Sequence, residues 1–247
     1  MSTSLATSWV FHKFGLLVTG SGEEKFLPTF LRSLADTQDC TFRVIGRVPQ
    51  RSPRTSKKKK LRMTGNGKTI PNKDTSEIGL PARNYLSRNP GSFVILVDDL
   101  ERDRQALHRE TFERYRAALD SVLPENYHHR ASVHFLVNMV EAYYFAHADA
   151  INAVLGTDLT DFEGDVETIP HPKAELKRAK PGFDEIADGQ KIVEQLDLDK
   201  VLNNPDTCAS LRALFKWCWR AKRGTYSDRF QLQLGTCSPI TGCQVET

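Results

Sequence analysis

The chain alternates short, nearly solid apolar runs with stripes of apolar residues at helical spacing. Residues 14–19, 93–97 and 132–137 form three such runs, and "TFRVIGRV" at 41–48 forms a fourth. Runs of this length read as strands, and unbroken ones suit a sheet covered on both faces. Between them, Phe26, Leu27, Phe30, Leu31 and Leu34 recur at helical spacing within 23–34. Phe112, Tyr115, Leu119 and Val122 do the same within 102–123. Both patterns predict helices with one wet face. Pro28 falls early in the first helix, where a missing N–H costs least, or marks a later start. A short helix is expected over 80–87. The run at 132–137 leads straight into a helical segment holding Glu141. This order of elements predicts an α/β fold: a largely parallel sheet of four strands with helices on both faces. Beyond Leu155 the pattern turns helical and irregular, with helices expected at 173–178, 186–195 and 208–222. The division expected is an α/β domain over 1–156 and a helical C-terminal extension over 157–247, packed on it.

Charge changes this picture at one place. Residues 47–73 carry ten cations and no acid, leaving a net −7 for the rest of a chain whose total is +3. The same segment holds Pro49, Pro53, Gly65, Gly67 and Pro71, so it reads as a long loop or ribbon. An acidic body with one basic segment points to an anionic partner such as nucleic acid. Arg51, Arg54, Lys57, Lys58, Lys59, Lys60, Arg62 and Lys68 are the candidate backbone contacts, since Lys and Arg neutralise phosphates without reading sequence. The bland alternative for "SKKKKLR" is a solubilising run.

Other segments bound the function by exclusion. No stretch nears 18 apolar residues, so no membrane span is expected. The N-terminus lacks a basic region followed by a long apolar stretch, so no signal peptide is read. Five scattered cysteines without a CxxC pair suit reduced thiols in the cytoplasm. Only Cys237 and Cys243 flank a turn that would let them pair in an oxidising setting. "GNGKT" at 65–69 imitates the end of a P-loop, but Arg62 stands where the motif needs glycine, and no strand precedes it. His128 and His129 read as exposed loop residues rather than zinc ligands. "YYF" at 143–145 reads as core. "LFKWCWR" at 214–220 reads as a core helix face or a partner surface.

The candidate chemistry lies in acids placed where strands end. "LLVTGSGEEKFLP" at 16–28 follows a strand with Glu23 and Glu24. "FVILVDDLERD" at 93–103 delivers Asp98, Asp99 and Glu101, and Glu141 follows the last strand. Ligands of open α/β sheets bind beyond the carboxyl ends of the strands. Clustered carboxylates stay ionised when a cation sits among them, and hard oxygens suit Mg²⁺ or Mn²⁺. Each acid also has a plain structural alternative. Glu23 and Glu24 favour a helix dipole, Asp98, Asp99 and Glu101 can cap the next helix, and Asn138 with Glu141 fits a capping box.

On these motifs the chain resembles the Toprim superfamily, in particular stand-alone Toprim-like proteins related to the OLD nucleases. The first family motif, an apolar strand followed by VEGxxE, is matched by "VTGSGEEKFLP". Glu23 falls on the second acid, and Thr19 stands where the family has glutamate. The second, an apolar strand ending in an Asp-x-Asp-like cluster, is matched by "FVILVDDLERD". Asp98 falls on the first acid, and either Asp99 or Glu101 on the second. Glu141 in "NMVEAYYFAHADAINAVLG" falls on a third family acid. "HPKAELKRAKPGF" and "CASLRALFKW" resemble the group's C-terminal helical part, so the resemblance spans residues 14–221.

The resemblance implies Mg²⁺-dependent phosphodiester cleavage of DNA or RNA, with an ABC-type ATPase as partner in bacterial anti-phage defence. Asp98, Asp99 and Glu101 would hold Mg²⁺ (or Mn²⁺). Glu23 would be a ligand or general base, and Glu141 would complete the cluster, making Glu23, Asp98 and Glu141 the catalytic set. Thr19 keeps a second reading open, a catalytically degenerate module that binds or regulates an ATPase. A third is a phosphotransferase acting on a small molecule.

Overall fold

A computed structural model describes residues 11–36, 38–50, 62–63, 69–70 and 73–224. Four strands, β1 (His12–Val18), β2 (Cys40–Arg47), β3 (Phe93–Leu100) and β4 (Ala131–Val137), form one sheet in the order β2-β1-β3-β4. Every neighbouring pair is parallel. All eight residues of β3 and all seven of β4 are buried. This is why their sequences read as solid apolar runs instead of alternating ones.

Alternate residues face opposite layers. On one face Phe14, Leu16, Val18, Phe93, Ile95 and Val97 pack in one core with α1 (Ser21–Phe30) and the later helices α4 (Ala148–Leu155), α5 (Pro172–Ala179), α6 (Ala187–Gln195) and α7 (Ala209–Lys222). There Phe14 stacks on Phe42 and Phe93, and Trp217 from α7 meets Phe14 and Phe93 edge-on. "LFKWCWR" is therefore core: Leu214, Phe215, Trp217 and Cys218 are buried. On the other face Leu17, Val94, Leu96, Leu100, Val133 and Phe135 pack against α2 (Leu80–Arg88) and α3 (His108–Asp120). The expected α/β architecture, with helices on both faces and a helical C-terminal part, is the one observed.

Several local expectations change. Pro28 lies well inside α1, which ends two residues later. Loss of the proline N–H so close to the helix end removes little. β3 runs on to Leu100, past the expected end at Val97, so Asp98 and Asp99 lie within the strand. The single long helix expected over 102–123 divides into a short turn, Arg102–Gln105, and α3. Glu141 lies not on an α-helix but on a 3-10 segment, Val140–Ala146, reached through two left-handed residues, Asn138 and Met139. Tyr143, Tyr144 and Phe145 are core, as read. His128 and His129 are half-buried in a 3-10 turn rather than exposed, and a His128 ring nitrogen lies 2.9 Å from the Leu123 carbonyl. Within the basic segment, Arg62–Met63 pairs antiparallel with Thr69–Ile70 as a short ribbon. Arg51, Arg54, Lys57, Lys58, Lys59, Lys60 and Lys68 lie outside the described residues, as do Cys237 and Cys243. Cys40, Cys208 and Cys218 are buried free thiols. No helix among the described residues is long and apolar enough to cross a membrane.

Candidate acidic site at the carboxyl ends of the strands

The acids gather at the carboxyl rim, but strand alternation splits them between two faces. Asp98 points to the side of α3, with Leu96 and Leu100. Asp99 points to the side of α1, with Val97 and Ile95. Neighbouring residues on a strand cannot share a face, so Asp98 and Asp99 belong to different surroundings.

Asp98 is fully buried and fully engaged. Its Oδ1 accepts hydrogen bonds from Thr19 Oγ1 (2.8 Å), Gln50 Nε2 (3.1 Å) and an Arg104 guanidinium nitrogen (3.1 Å). Its Oδ2 accepts from the other terminal nitrogen of Arg104 (2.6 Å) and from Tyr115 Oη (2.9 Å). A paired fork of this kind is among the stronger ionic contacts. Arg104 also donates to the Asp99 carbonyl oxygen (2.8 Å), as does Gln50 (3.1 Å). The break between Arg102–Gln105 and α3 lets Arg104 turn back on the strand. Asp98, expected as a metal ligand and catalytic residue, accepts from five donors at the end of β3.

Asp99, Glu23 and Glu141 are buried on the other face. Glu23 occupies the first turn of α1, three residues after the N-cap Gly20. A Cβ at Gly20 would stand 2.0 Å from Glu23 Oε2, so any larger residue there would displace that carboxylate; the φ of −117° is open to any residue. The Glu23 and Gly20 backbone amides favour the ionised carboxylate, in keeping with a first-turn acid. Burial outweighs them and pushes the Glu23 carboxyl up, with the Asp98 charge adding and Lys173 opposing. Glu23 Oε2 has no hydrogen-bond partner, nor has the buried Oδ1 of Asp99. Burial first, then the charges of Glu23, Glu101, Glu141 and Asp98, pushes Asp99 up to about 8. Glu141 is likewise raised, by burial first, while Lys173 pulls it down. Lys173, on α5 (Pro172–Ala179), places Nζ 3.6 Å from Glu141 and 3.3 Å from Glu185.

The plain structural alternatives are settled residue by residue. Glu101 stands at the start of the Arg102–Gln105 turn, exposed, and makes no side-chain cap bond. Glu24 is exposed on α1. Asn138 makes no capping box with Glu141: its side-chain amide donates to the Glu167 carbonyl and accepts from Gln105. Arg104, Gln50, Tyr115 and Lys173 are the partners that sequence reasoning did not find. Arg104 had a signal, a cation three residues beyond Glu101, after Arg102 and Asp103. Lys173 had none, since it enters from 32 residues beyond Glu141.

Glu23 and Asp99 fit a hard divalent cation in chemistry: oxygen donors, buried, mutually repelling and with free lone pairs. Mg²⁺ commonly takes only one or two protein carboxylates and keeps its waters. Among the described residues, no group of three His, Cys, Asp or Glu side chains stands ready to hold a metal ion.

Residues 18–217 match the family model of a domain of unknown function, DUF4276. Among solved structures, two of the C-terminal region of the OLD protein of Xanthomonas campestris pv. campestris resemble the chain. The mercury-phased one has 12% identity and a TM-score of 0.41, and the iodine-phased one 11% and 0.42. Each alignment covers 86% of this chain and 95% of the other. Similarity at that level does not carry a function across. No curated protein matches.

Proposed function

This chain belongs to the DUF4276 family, and we propose that it is a metal-dependent, nuclease-like protein that cleaves phosphodiester bonds in DNA or RNA. One observation carries the reading: Glu23 and Asp99 each leave a buried oxygen without a partner at the carboxyl rim of a parallel sheet. Such groups hold protons or a cation, and this rim is where α/β sheets bind ligands. Glu23 and Asp99 would hold Mg²⁺ or Mn²⁺, with Glu101 close enough in sequence to join from the exposed side. A bound ion of this kind activates water and stabilises the oxygens of an in-line displacement. Glu141, with raised proton affinity and Lys173 beside it, suits the role of general base. Asp98, Arg104, Tyr115 and Thr19 act at one remove: they fix the end of β3 and so the direction in which Asp99 points. The basic segment at 51–68 would grip the nucleic-acid backbone. A cytoplasmic setting, which rests on the scattered cysteines without a CxxC pair, and an ABC-type ATPase partner in bacterial anti-phage defence, which rests on the motif resemblance alone, complete the proposal. The test is incubation of the purified protein with labelled DNA and RNA in Mg²⁺ or Mn²⁺. Cleavage is expected, with at least a hundredfold loss in Glu23→Gln and Asp99→Asn. Full activity in both variants overturns the assignment.

A second reading has its own observation. Lys173 beside Glu141 and Arg104 on Asp98 place the chain's own cations at the rim, and Thr19 spends its hydroxyl on Asp98. A degenerate module that binds or regulates an ATPase would be built this way. Absence of any thermal shift at millimolar Mg²⁺ or Mn²⁺ would favour it, because a ligand of the native state raises apparent stability.

A further inference from the structure

A basic groove lies away from the acidic rim, between the outer strand β2 and helix α2. It has a volume of about 700 Å³ and is lined by Lys13, Arg43, Asn84, Tyr85, Arg88 and Asn89, among others. Lys13, Arg43 and Arg88 are exposed, and none is ion-paired with a described residue. The three segments that build the groove, residues 11–18, 40–47 and 80–92, contain no acid at all. They add Arg47 and Arg83, both exposed, to the same side of the chain's charge balance. This is unexpected in a body that sums to net negative outside 47–73.

The floor is built to be open. Gly15 on β1 has no side chain, and a Cβ there would come within 2.8 Å of the Tyr85 ring and 2.9 Å of Ile45. Tyr85 therefore lies down across the strand and stays half-buried, with its ring close enough to Arg43 for that charge to act on its hydroxyl. Asn89 Nδ2 closes the helix end by donating to the Tyr85 carbonyl (3.0 Å), which holds Arg88 at the groove mouth. Cations flanking a half-exposed aromatic ring are the usual elements of a surface that tracks a nucleic-acid strand.

β2 runs from the groove toward the carboxyl rim, and beyond its end Gln50 donates to Asp98, on the same face of the sheet as the groove. Arg47 pairs with Val18 across a register shift and so lies on the opposite face from Arg43.

We propose that the β2–α2 groove binds the phosphodiester backbone of a nucleic-acid strand through Lys13, Arg43 and Arg88, with Tyr85 as its floor. The choice of nucleic acid as the polyanion rests on the reading under Proposed function; the groove and its charge do not. The test is fluorescence anisotropy of labelled single-stranded and duplex oligonucleotides with the full chain, in EDTA so that no cleavage occurs, over 50–200 mM NaCl. The charge reversal Lys13→Glu/Arg43→Glu/Arg88→Glu is expected to weaken binding at least tenfold. It should also reduce the slope of log K against log salt by about 2–3, as losing three phosphate contacts requires. The neutral variant Arg43→Gln/Arg88→Gln, checked by circular dichroism, is expected to show a smaller loss in the same direction. Affinity and salt slope equal to wild type in both variants overturn the proposal. So does equal binding of poly-glutamate, which would make the groove a site for acidic protein. Binding that depends on the groove, without cleavage in any metal, supports the groove and removes only the nuclease reading.

Discussion

Replacing Asp99 with asparagine isolates the energetic signature of the acidic rim. The folded protein holds the Asp99 proton up to about pH 8, whereas the group starts from an ordinary value of 3.8. Between those values the native state binds more protons than the unfolded chain, so stability falls as pH rises. This one group contributes a slope of about −1.4 kcal/mol per pH unit, complete at low pH and levelling off above about pH 8. At pH 7 the accumulated cost is roughly 4 kcal/mol, a ceiling for a side chain that is 7% exposed. Asp99→Asn keeps the shape and removes the charge. In EDTA the variant should therefore equal wild type near pH 4 and exceed it increasingly toward pH 7. Urea unfolding at half-unit pH steps measures this directly. Millimolar Mg²⁺ should restore wild-type stability at pH 8 and leave the variant unchanged. Parallel stability curves for the two proteins, or a variant less stable at pH 7.5, would refute the reasoning.

Three further outcomes follow from the same geometry. Gly20→Ala should leave the fold intact but displace the Glu23 carboxylate, since the new methyl would stand 2.0 Å from its present position; thermal shift with Mn²⁺ should shrink as it does in Glu23→Gln. Arg104→Ala should cost about 3–5 kcal/mol by stranding a buried carboxylate, and Tyr115→Phe only about 1; both are read by urea unfolding. Lys173→Met removes the cation beside Glu141, so the apparent affinity for Mg²⁺ should rise severalfold, as read by calorimetry.

The sheet was legible because its strands are solid apolar runs, and β3 and β4 are buried on both faces as such runs require. The acids were legible as a group, but their division was not. Whether Asp98 and Asp99 share a site depends on where β3 ends. Three more strand residues turn an acidic cap into two side chains on opposite faces. The Asp98 network needed Arg104 to fold back through a helix break, and the contact of Lys173 with Glu141 joins residues 32 positions apart. Neither follows from local periodicity. The close approach at Gly20 was visible only as a glycine in a turn; its cause is the position of the Glu23 carboxylate. Thr19 shifted meaning most. It reads as a missing ligand in the motif, yet in the fold it is a hydrogen-bond donor to Asp98, so a glutamate there would set two carboxylates against each other.

The central claim is that Glu23 and Asp99 form a divalent-cation site. Titration of Mn²⁺ into the full-length protein, followed by electron paramagnetic resonance of the free ion, tests it most directly. One saturable equivalent in wild type, lost in both Glu23→Gln and Asp99→Asn and retained in Glu24→Gln, is the predicted result. No saturable binding, or binding that both variants retain, would contradict it.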